Sequence, residues 1–350
     1  MKTKLCETFV NAKGEIKPKY KQVTKAHLDL CWRLVKEIVC EGEQCGYIST
    51  PDSELMVPEE PRPGRLYGLV KDHKPVSPET GIPPLREVVS GSGSNTEYIS
   101  AFVDHHLKSE VRKLPSFIED TPDLLRCIEE RNTNGPLPDH VFPVSMDVCA
   151  LYPSIPWKEG LEALERAAER REEKGVPTSF IMRLMVLVLG ANVFEFDGKL
   201  YEQKDGTAIG TRAAPTFANL FMGEWEEALQ SGWKGTKLDF YRRFIDDLFF
   251  LWWGSERELH DFVSFANSIL PSIKVTVEYD VSNRSVNYLD MRIFIDEQGY
   301  LRTDLYRKPN VKTSYLMPSL AHPGHVTGNI PYSLAYRLRR LCWSDELFEN

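Results

Sequence analysis

Residues 241–253 read Tyr-Arg-Arg-Phe-Ile-Asp-Asp-Leu-Phe-Phe-Leu-Trp-Trp, so two adjacent acids sit between flanks that demand burial. An uninterrupted strand or helix would carry both carboxylates into the interior, at several kcal/mol for each unpaired ion. A tight turn avoids that cost. Both flanks then enter a sheet, and Asp246 and Asp247 emerge at its rim. Side by side, the two carboxylates repel and raise each other's pKa unless a cation sits between them. Mg²⁺ suits this role, because it prefers hard oxygen ligands and takes one or two carboxylates together with phosphate oxygens. The dipeptide alone reads better as a solvated Asp-Asp turn. A second segment changes the balance: "SMDVCALY" places Asp147 at the end of another apolar strand. If that strand lies beside the hairpin, three carboxylates converge. That is the donor set of a two-metal site for phosphoryl transfer, with ions about 3.5–4 Å apart.

Around these acids the chain alternates irregularly between strands and helices. "KAHLDLCWRLVKEIVCEG" has helical periodicity, and "STPDSELMVPEEPRPG" reads as a linker or ordered loop. "LYGLV" (66–70) and "PLREVVS" (84–90) form a hairpin-like strand pair across a polar connection. "NTEYISAFVDHHLKSEVRKL" and "TPDLLRCIEERN" read as helices, the first with a cap. "VFPVSMDVCALYPSIP" starts as a buried strand. "WKEGLEALERAAERREEKG" is an amphipathic helix expected to stop at Gly175. "TSFIMRLMVLVLGANV" is a more apolar helix, "FEFDGKLYEQ" a hairpin turning at Asp197-Gly198, and "TRAAPTFANLFMGEWEEAL" a helix after a glycine-rich stretch. "SERELHDFVSFANSIL" carries Ser255 and Glu258 as a capping box. "IKVTVEYD", "NYLDMRIFID" and "LRTDLYRK" read as single strands, and "IPYSLAYRLRRLC" as a basic helix. This order fits α+β better than a doubly wound sheet.

Composition narrows the function classes. The 350 residues, 42% hydrophobic, are ample for a large core. No apolar run nears the roughly 20 residues that span a bilayer, and the N-terminus lacks a signal core. The seven cysteines (6, 31, 40, 45, 127, 149 and 342) are scattered with no CxxC pair, which fits a reducing compartment. A formal net charge of −8 argues mildly against a general nucleic-acid binder. The charge is uneven, however: from Arg302 to Arg340 there are seven Lys/Arg against one acid, Asp304. A local basic surface of this kind can bind phosphate on an acidic protein.

The order Asp147, glycine-rich helix start, Asp246-Asp247 resembles motifs A, B and C of the reverse transcriptase palm. Several stretches resemble Penelope-like retroelement reverse transcriptases more narrowly, over about residues 65–345. They are "RLYGLVKDHKP", "PLREVVSGSGSNTEYIS", "DGTAIGTRAAPTFANLFM", "YRRFIDDLFF", "YLDMRI", "DLYRKP" and "HPGHVTGNIPYSLAYRLRRLC". That family is similar to telomerase reverse transcriptase in its palm and fingers.

The resemblance implies a right-hand polymerase: fingers, a palm with an antiparallel sheet flanked by helices, and the start of a helical thumb. The expected divisions are an N-terminal helical extension and linker (1–64), fingers (65–140), palm with some fingers insertion (141–298), and end of palm with start of thumb (299–350). Asp147 and Asp246 would hold two Mg²⁺ ions (Mn²⁺ can substitute), with Asp247 assisting and the Val148 carbonyl completing one coordination sphere. Tyr152 stands at the steric-gate position, where its ring would leave no room for a 2′-hydroxyl; the bland alternative is a core aromatic. Gly206 and Gly210 would let the backbone approach the incoming base closely. Here the chain departs from the family, reading Gly210-Thr211-Arg212-Ala213-Ala214-Pro215 where Gly-Ser-Pro is frequent. Lys71 and Arg86 would contact the triphosphate, with Lys74 a secondary candidate. Lys274 matches the motif D lysine, a general acid for pyrophosphate departure. "NYLDMRI" is similar to the segment that grips the primer end, with Asp290 equally readable as a cap or salt-bridge partner. Arg307, Lys308, Arg337, Arg339 and Arg340 would contact the template–primer backbone. His322 and His325 have no cysteine partners nearby and suit a loop or backbone role.

The implied partners are an RNA template, a DNA primer and dNTPs, with no membrane and with oligomeric state unspecified. The implied location is intracellular, and nuclear for a eukaryotic retroelement. Most members of that family carry a GIY-YIG endonuclease after the thumb, and no such motif occurs here, so two alternatives stand: the chain is a fragment missing a C-terminal endonuclease domain or partner, or the element lacks the nuclease and uses pre-existing 3′ ends, such as those at chromosome termini. Two other functions compete: a related RNA-dependent RNA polymerase, and a domesticated nucleic-acid-binding relative without catalysis. Tyr152 separates the first, because RNA-synthesising enzymes usually have a small or polar group there. The intact Asp147/Asp246/Asp247 set argues against the second.

Overall fold

The computed structural model describes residues 8–10, 16–71, 75–76, 81, 83–306 and 322–344. Strands β1 (Thr8–Val10), β2 (Ile16–Pro18) and β3 (Tyr20–Val23) lead into α1 (Lys25–Gln44), where the Thr24 hydroxyl accepts from the His27 N–H at 3.3 Å. The expected linker contains a short helix, α2 (Thr50–Met56). Its prolines had suggested a loop, but Pro51 lies in the first turn, where a missing N–H costs nothing, and Ser49 caps it. Strands β4 (Gly64–Val70) and β5 (Leu85–Ser90) pair antiparallel as expected. Helices α3 (Glu97–Arg112) and α4 (Thr121–Asn132) precede β6 (Phe142–Val148). A single turn, α5 (Leu151–Ser154), then leads to α6 (Trp157–Arg170). The expected glycine stop is not used. Arg171, itself buried, donates to the Ala168 and Val176 carbonyls at 3.0 and 2.8 Å and so terminates α6 without a left-handed residue.

Helix α7 (Thr178–Gly190) is followed by the hairpin β7 (Val193–Phe196) and β8 (Lys199–Gln203), with Asp197 and Gly198 both at positive φ. Helix α8 (Ala214–Gly232) precedes β9 (Asp239–Phe244) and β10 (Asp247–Trp252). In α9 (Glu256–Ile269) only half of the capping box forms. Ser255 accepts from the Glu258 N–H at 3.3 Å, but the Glu258 carboxylate turns to Thr236, accepting from its N–H at 2.8 Å and its hydroxyl at 2.6 Å. After β11 (Val275–Tyr279), the segment read as one strand is a hairpin, β12 (Ser285–Tyr288) and β13 (Met291–Ile295), turning at Leu289 with φ 55°. The apolar alternation runs through the turn and hides it. β14 (Leu301–Leu305) and α10 (Gly324–Leu341) complete the described elements.

Among the described residues the strands form four sheets, and two of them position the site. The sheet that carries the acids has order β11-β6-β10-β9, antiparallel throughout. β10 is apolar without alternation because both of its faces are covered. Leu248, Phe250 and Trp252 join the main core with Phe217, Phe221 and Phe262 from α8 and α9. Phe249 and Leu251 point the other way, into a second core formed by the β12-β13-β14 sheet and Leu124 and Ile128 of α4. Each large side chain so buried contributes about 1.5–3 kcal/mol. The other sheet has order β3-β8-β7-β4-β5, with β4 and β7 parallel. It therefore draws strands from before residue 64 and from 193–203 as well as from the expected fingers. No helix among the described residues is long and apolar enough to cross a membrane.

Candidate active site

The register of the β11-β6-β10-β9 sheet brings the three acids to one end of it. Asp147 of β6 pairs directly with Asp247 of β10, a spacing of about 4.5–5.5 Å between Cα atoms. The β9–β10 turn consists of Ile245 and Asp246, since Phe244 pairs with Asp247. Ile245 has φ 56°, a costly conformation for a β-branched residue, and the kind of strain found at functional sites. The Val148 N–H donates to the Asp246 carbonyl at 3.0 Å, which fixes the turn against β6. Burial raises the Asp246 pKa; its own backbone N–H and the positive charges of Arg86 and Lys71 act in the opposite direction. Those two cations come from the other sheet, so β4–β5 projects charge toward Asp246. Lys71 is half-buried at the end of β4, its N–H bonded to the Pro84 carbonyl at 2.9 Å, and Arg86 is exposed on β5.

Tyr152 reaches the same place. Ala150, in the left-handed region (φ 49°), turns the chain out of β6 into α5. The Tyr152 hydroxyl is pushed up to about 12 by burial first and then by Asp246, with Arg86 opposing. Its ring packs partly buried against the main core, so the expected alternative of a core aromatic and a position facing the acids hold together.

Gly206 and Gly210 are demanded by the chain's own backbone. Gly206 (φ 67°) lies so close to α5 that a Cβ would meet the Tyr152 carbonyl oxygen at 2.4 Å. Gly210 (φ 114°) lies so close to β5 that a Cβ would meet the Val89 carbonyl oxygen at 2.3 Å. The loop between them is bonded on both sides: the Thr207 N–H donates to the Tyr152 carbonyl at 2.8 Å, and the Val89 N–H donates to the Ile209 carbonyl at 2.8 Å. Where the sequence departs from Gly-Ser-Pro, Arg212 pairs with Glu97 at 3.0 Å and the Ala213 N–H donates to Ser100 Oγ at 2.8 Å, tying the loop to α3. Beside it opens a cleft of about 360 Å³, lined by Tyr67, Ser90, Ser94, Glu97, Thr211 and Arg212 among others.

Other expected site residues are placed differently. The Lys274 carbonyl accepts from the Cys149 N–H at 2.7 Å, beside Asp147, but its ammonium donates to the Asn267 carbonyl at the end of α9 (2.7 Å). Arg337 is bonded through Nε to Asp290 at 3.0 Å, so that acid is a salt-bridge partner, and it also accepts from the Thr121 hydroxyl at 3.2 Å. Arg339 and Arg340 are exposed on α10, with Arg340 lying over the Tyr336 ring at 4.2 Å. Lys74, Arg307 and Lys308 lie outside the described residues. Sequence reading did not pick out Arg243, which is fully buried beneath the turn, or Tyr288, whose hydroxyl donates to the Asp247 carbonyl at 2.9 Å. A signal existed for the first: Tyr241 and Arg243 share the inward phase of β9, where a charge is out of place.

The acids are not drawn into a closed cage. Among the described residues, no group of three His, Cys, Asp or Glu side chains is spaced to enclose an ion by itself. The donor set still suits a hard cation that brings part of its own shell. Its oxygens come from facing strands, and Asp246 carries a desolvation penalty that a positive ion would relieve.

No protein-family model and no curated protein matches the sequence. Solved structures do match. Apo telomerase from Candida tropicalis, truncated from its C-terminal domain, aligns at 14% identity over 71% of this chain and 56% of that one, with a TM-score of 0.52. Telomerase from Candida albicans, in complex with a fragment of telomeric RNA, aligns at 10% identity over 82% and 52%, with a TM-score of 0.54. The RNA-dependent RNA polymerase of a human picorbirnavirus aligns at 10% identity over 82% and 55%, with a TM-score of 0.56. The fold is the α+β right-hand fold of nucleic-acid polymerases. The chain spans about half the length of each of these proteins.

Proposed function

We propose that this chain is the polymerase core of an RNA-directed DNA polymerase of the Penelope-like type, adding dNTPs to a primer 3′ hydroxyl along an RNA template. The observation that carries this reading is the register pairing of Asp147 with Asp247, with Asp246 beside them and Lys71, Arg86 and Tyr152 around it. Telomerase neighbours in complex with RNA support the choice of template.

Asp147, Asp246, Asp247 and the Val148 carbonyl would hold two Mg²⁺ ions. When bound, such ions neutralise phosphate charge and activate the attacking hydroxyl. The remaining work belongs to the chain. Arg86 and Lys71 offset the triphosphate charge from the fingers side, Arg86 with a planar fork suited to phosphate oxygens. Tyr152 presents its ring at the floor of the nucleotide site and excludes a 2′-hydroxyl. Gly206 and Gly210 hold that floor and the fingers strand at fixed separation. Lys274 becomes a proton donor to pyrophosphate only after releasing the Asn267 carbonyl. The basic residues Arg337, Arg339 and Arg340, with Lys74, Arg307 and Lys308, would follow the template–primer backbone. A nuclear site of action follows from the retroelement reading in a eukaryotic host.

An RNA-synthesising polymerase is the second reading, favoured by the likeness to the viral RNA polymerase. Primer extension on an RNA template, with dNTPs and NTPs supplied separately, tests both. DNA synthesis abolished by Asp246→Asn is expected. Preferential use of NTPs would replace the first reading with the second, and template–primer binding without metal-dependent extension would reduce the chain to a binding module.

A further inference from the structure

Three consecutive carbonyls of the turn that bears the acids are each held by a different part of the molecule. The Ile245 carbonyl accepts from Arg243 Nη1 at 3.1 Å. The Asp246 carbonyl accepts from the Val148 N–H at 3.0 Å. The Asp247 carbonyl accepts from the Tyr288 hydroxyl at 2.9 Å. The Val148 contact belongs to ordinary sheet pairing. The other two come from buried polar side chains that neither the sheet nor the core requires.

Arg243 has no solvent exposure, and every contact it makes is directed. Its Nε donates to Glu226 Oε1 at 2.8 Å, and its guanidinium also donates to Asn219 Oδ1 at 2.6 Å and to the Asn219 carbonyl at 3.2 Å. Glu226 is fixed in turn by the Ser116 hydroxyl at 2.6 Å. A well-packed apolar side chain would serve stability as well as such a buried ion pair, so stability alone does not account for it. A further donor, on Nη1, is spent on the carbonyl of Ile245, the one residue of the turn at positive φ. Tyr288, 2% exposed, comes from β12, on the opposite side of the palm sheet from α8. Its ring packs on Phe249 at 5.4 Å, and its hydroxyl points back to the Phe244–Asp247 pair. The turn is thus gripped from the α8 layer and from the β12–β13 hairpin at once.

We infer that Arg243 and Tyr288 are positioning residues that hold the Ile245–Asp247 backbone where its carboxylates bind divalent ions, and so set ion affinity without touching the ions. The inference rests on the proposed polymerase reading. It also ties the β12–β13 hairpin, where the resemblance places the primer end, mechanically to Asp247. Displacement of that hairpin would reach the metal site through one hydroxyl.

The test is Tyr288→Phe, which keeps the buried ring and removes only the hydroxyl. Asn219→Ser is a second arm that slackens Arg243 from the far side. Mn²⁺ binding to the full chain, read by electron paramagnetic resonance without nucleic acid, is the first measurement. The Mg²⁺ concentration for half-maximal primer extension is the second. In both variants the Mn²⁺ Kd and the Mg²⁺ requirement are expected to rise about three- to tenfold, with the dNTP KM nearly unchanged; the metal-free Tm should fall little in Tyr288→Phe and further in Asn219→Ser, where a buried guanidinium loses an acceptor. Folded variants with wild-type Mn²⁺ affinity and Mg²⁺ requirement would overturn the inference and leave the polymerase reading standing. If the wild type shows neither extension nor Mn²⁺ binding that Asp246→Asn removes, the polymerase reading itself fails.

Discussion

Asp147 and Asp247 face each other across β6 and β10, although α5, α6, α7 and α8 lie between them in sequence. The pairing of Asp247 with Phe244 on its other side leaves Asp246 in a two-residue turn, where burial raises its pKa. A desolvated carboxylate next to another acid opposes folding unless it serves a ligand.

Asp246→Asn should therefore separate stability from activity. The carboxyl of Asp246 titrates higher in the folded protein than in the unfolded chain. Metal-free wild-type protein thus loses stability as pH rises from about 4, the ordinary Asp value, through that raised pKa. The Asn variant lacks this loss, so its metal-free Tm at neutral pH should exceed the wild type's, as calorimetry with a chelator would show. Extension should fall by at least a thousandfold, about 4 kcal/mol.

Arg86→Ala should act on the same acid from a distance. The guanidinium holds the Asp246 pKa down, so removing it lets the pKa climb. The acid limb of the pH–rate profile of kcat/KM should move to higher pH, with a raised dNTP KM. A profile that keeps its acid limb in place would show that Arg86 and Asp246 do not communicate.

Tyr152→Ala should relax sugar selection while leaving metal dependence intact. Removing one steric exclusion is worth about 1–3 kcal/mol, a ten- to two-hundredfold drop in discrimination between dNTP and NTP. Single-nucleotide extension with paired dNTP and NTP reads it directly; unchanged discrimination would reject the gate.

Gly210→Ala should destabilise the protein by about 1–3 kcal/mol, because φ 114° is closed to alanine and the new Cβ would strike the Val89 carbonyl. Gly175→Ala, where nothing lies within 4 Å and φ is ordinary, should change stability by no more than about 0.5 kcal/mol. Urea unfolding of both variants makes the comparison.

The sheet that carries the acids was legible in the sequence because its signals are local and strong. The apolar run of β10 and the strand ending at Asp147 each announce themselves, and their pairing follows once a turn is placed at the acids. The β12–β13 hairpin was not legible, since Leu289 adopts φ 55° without a glycine or asparagine to mark the turn. The α6 terminus was missed because a buried arginine did what Gly175 was expected to do. Lys274 was placed at the right strand, yet where its ammonium points depends on α9, which no local pattern encodes. Arg243 and Tyr288 lay hidden because their partners are backbone carbonyls, which sequence does not display.

The place of β3 has a practical consequence. Residues 20–23 form the outermost strand of the five-stranded sheet, hydrogen-bonded along β8. A recombinant chain trimmed to begin near residue 64 would bare the flank of β8, an open row of amides and carbonyls inviting other molecules to stack on it. Such a trimmed protein should be harder to keep monodisperse than one that retains residues 16–24, and poor behaviour in that form would say nothing about catalysis.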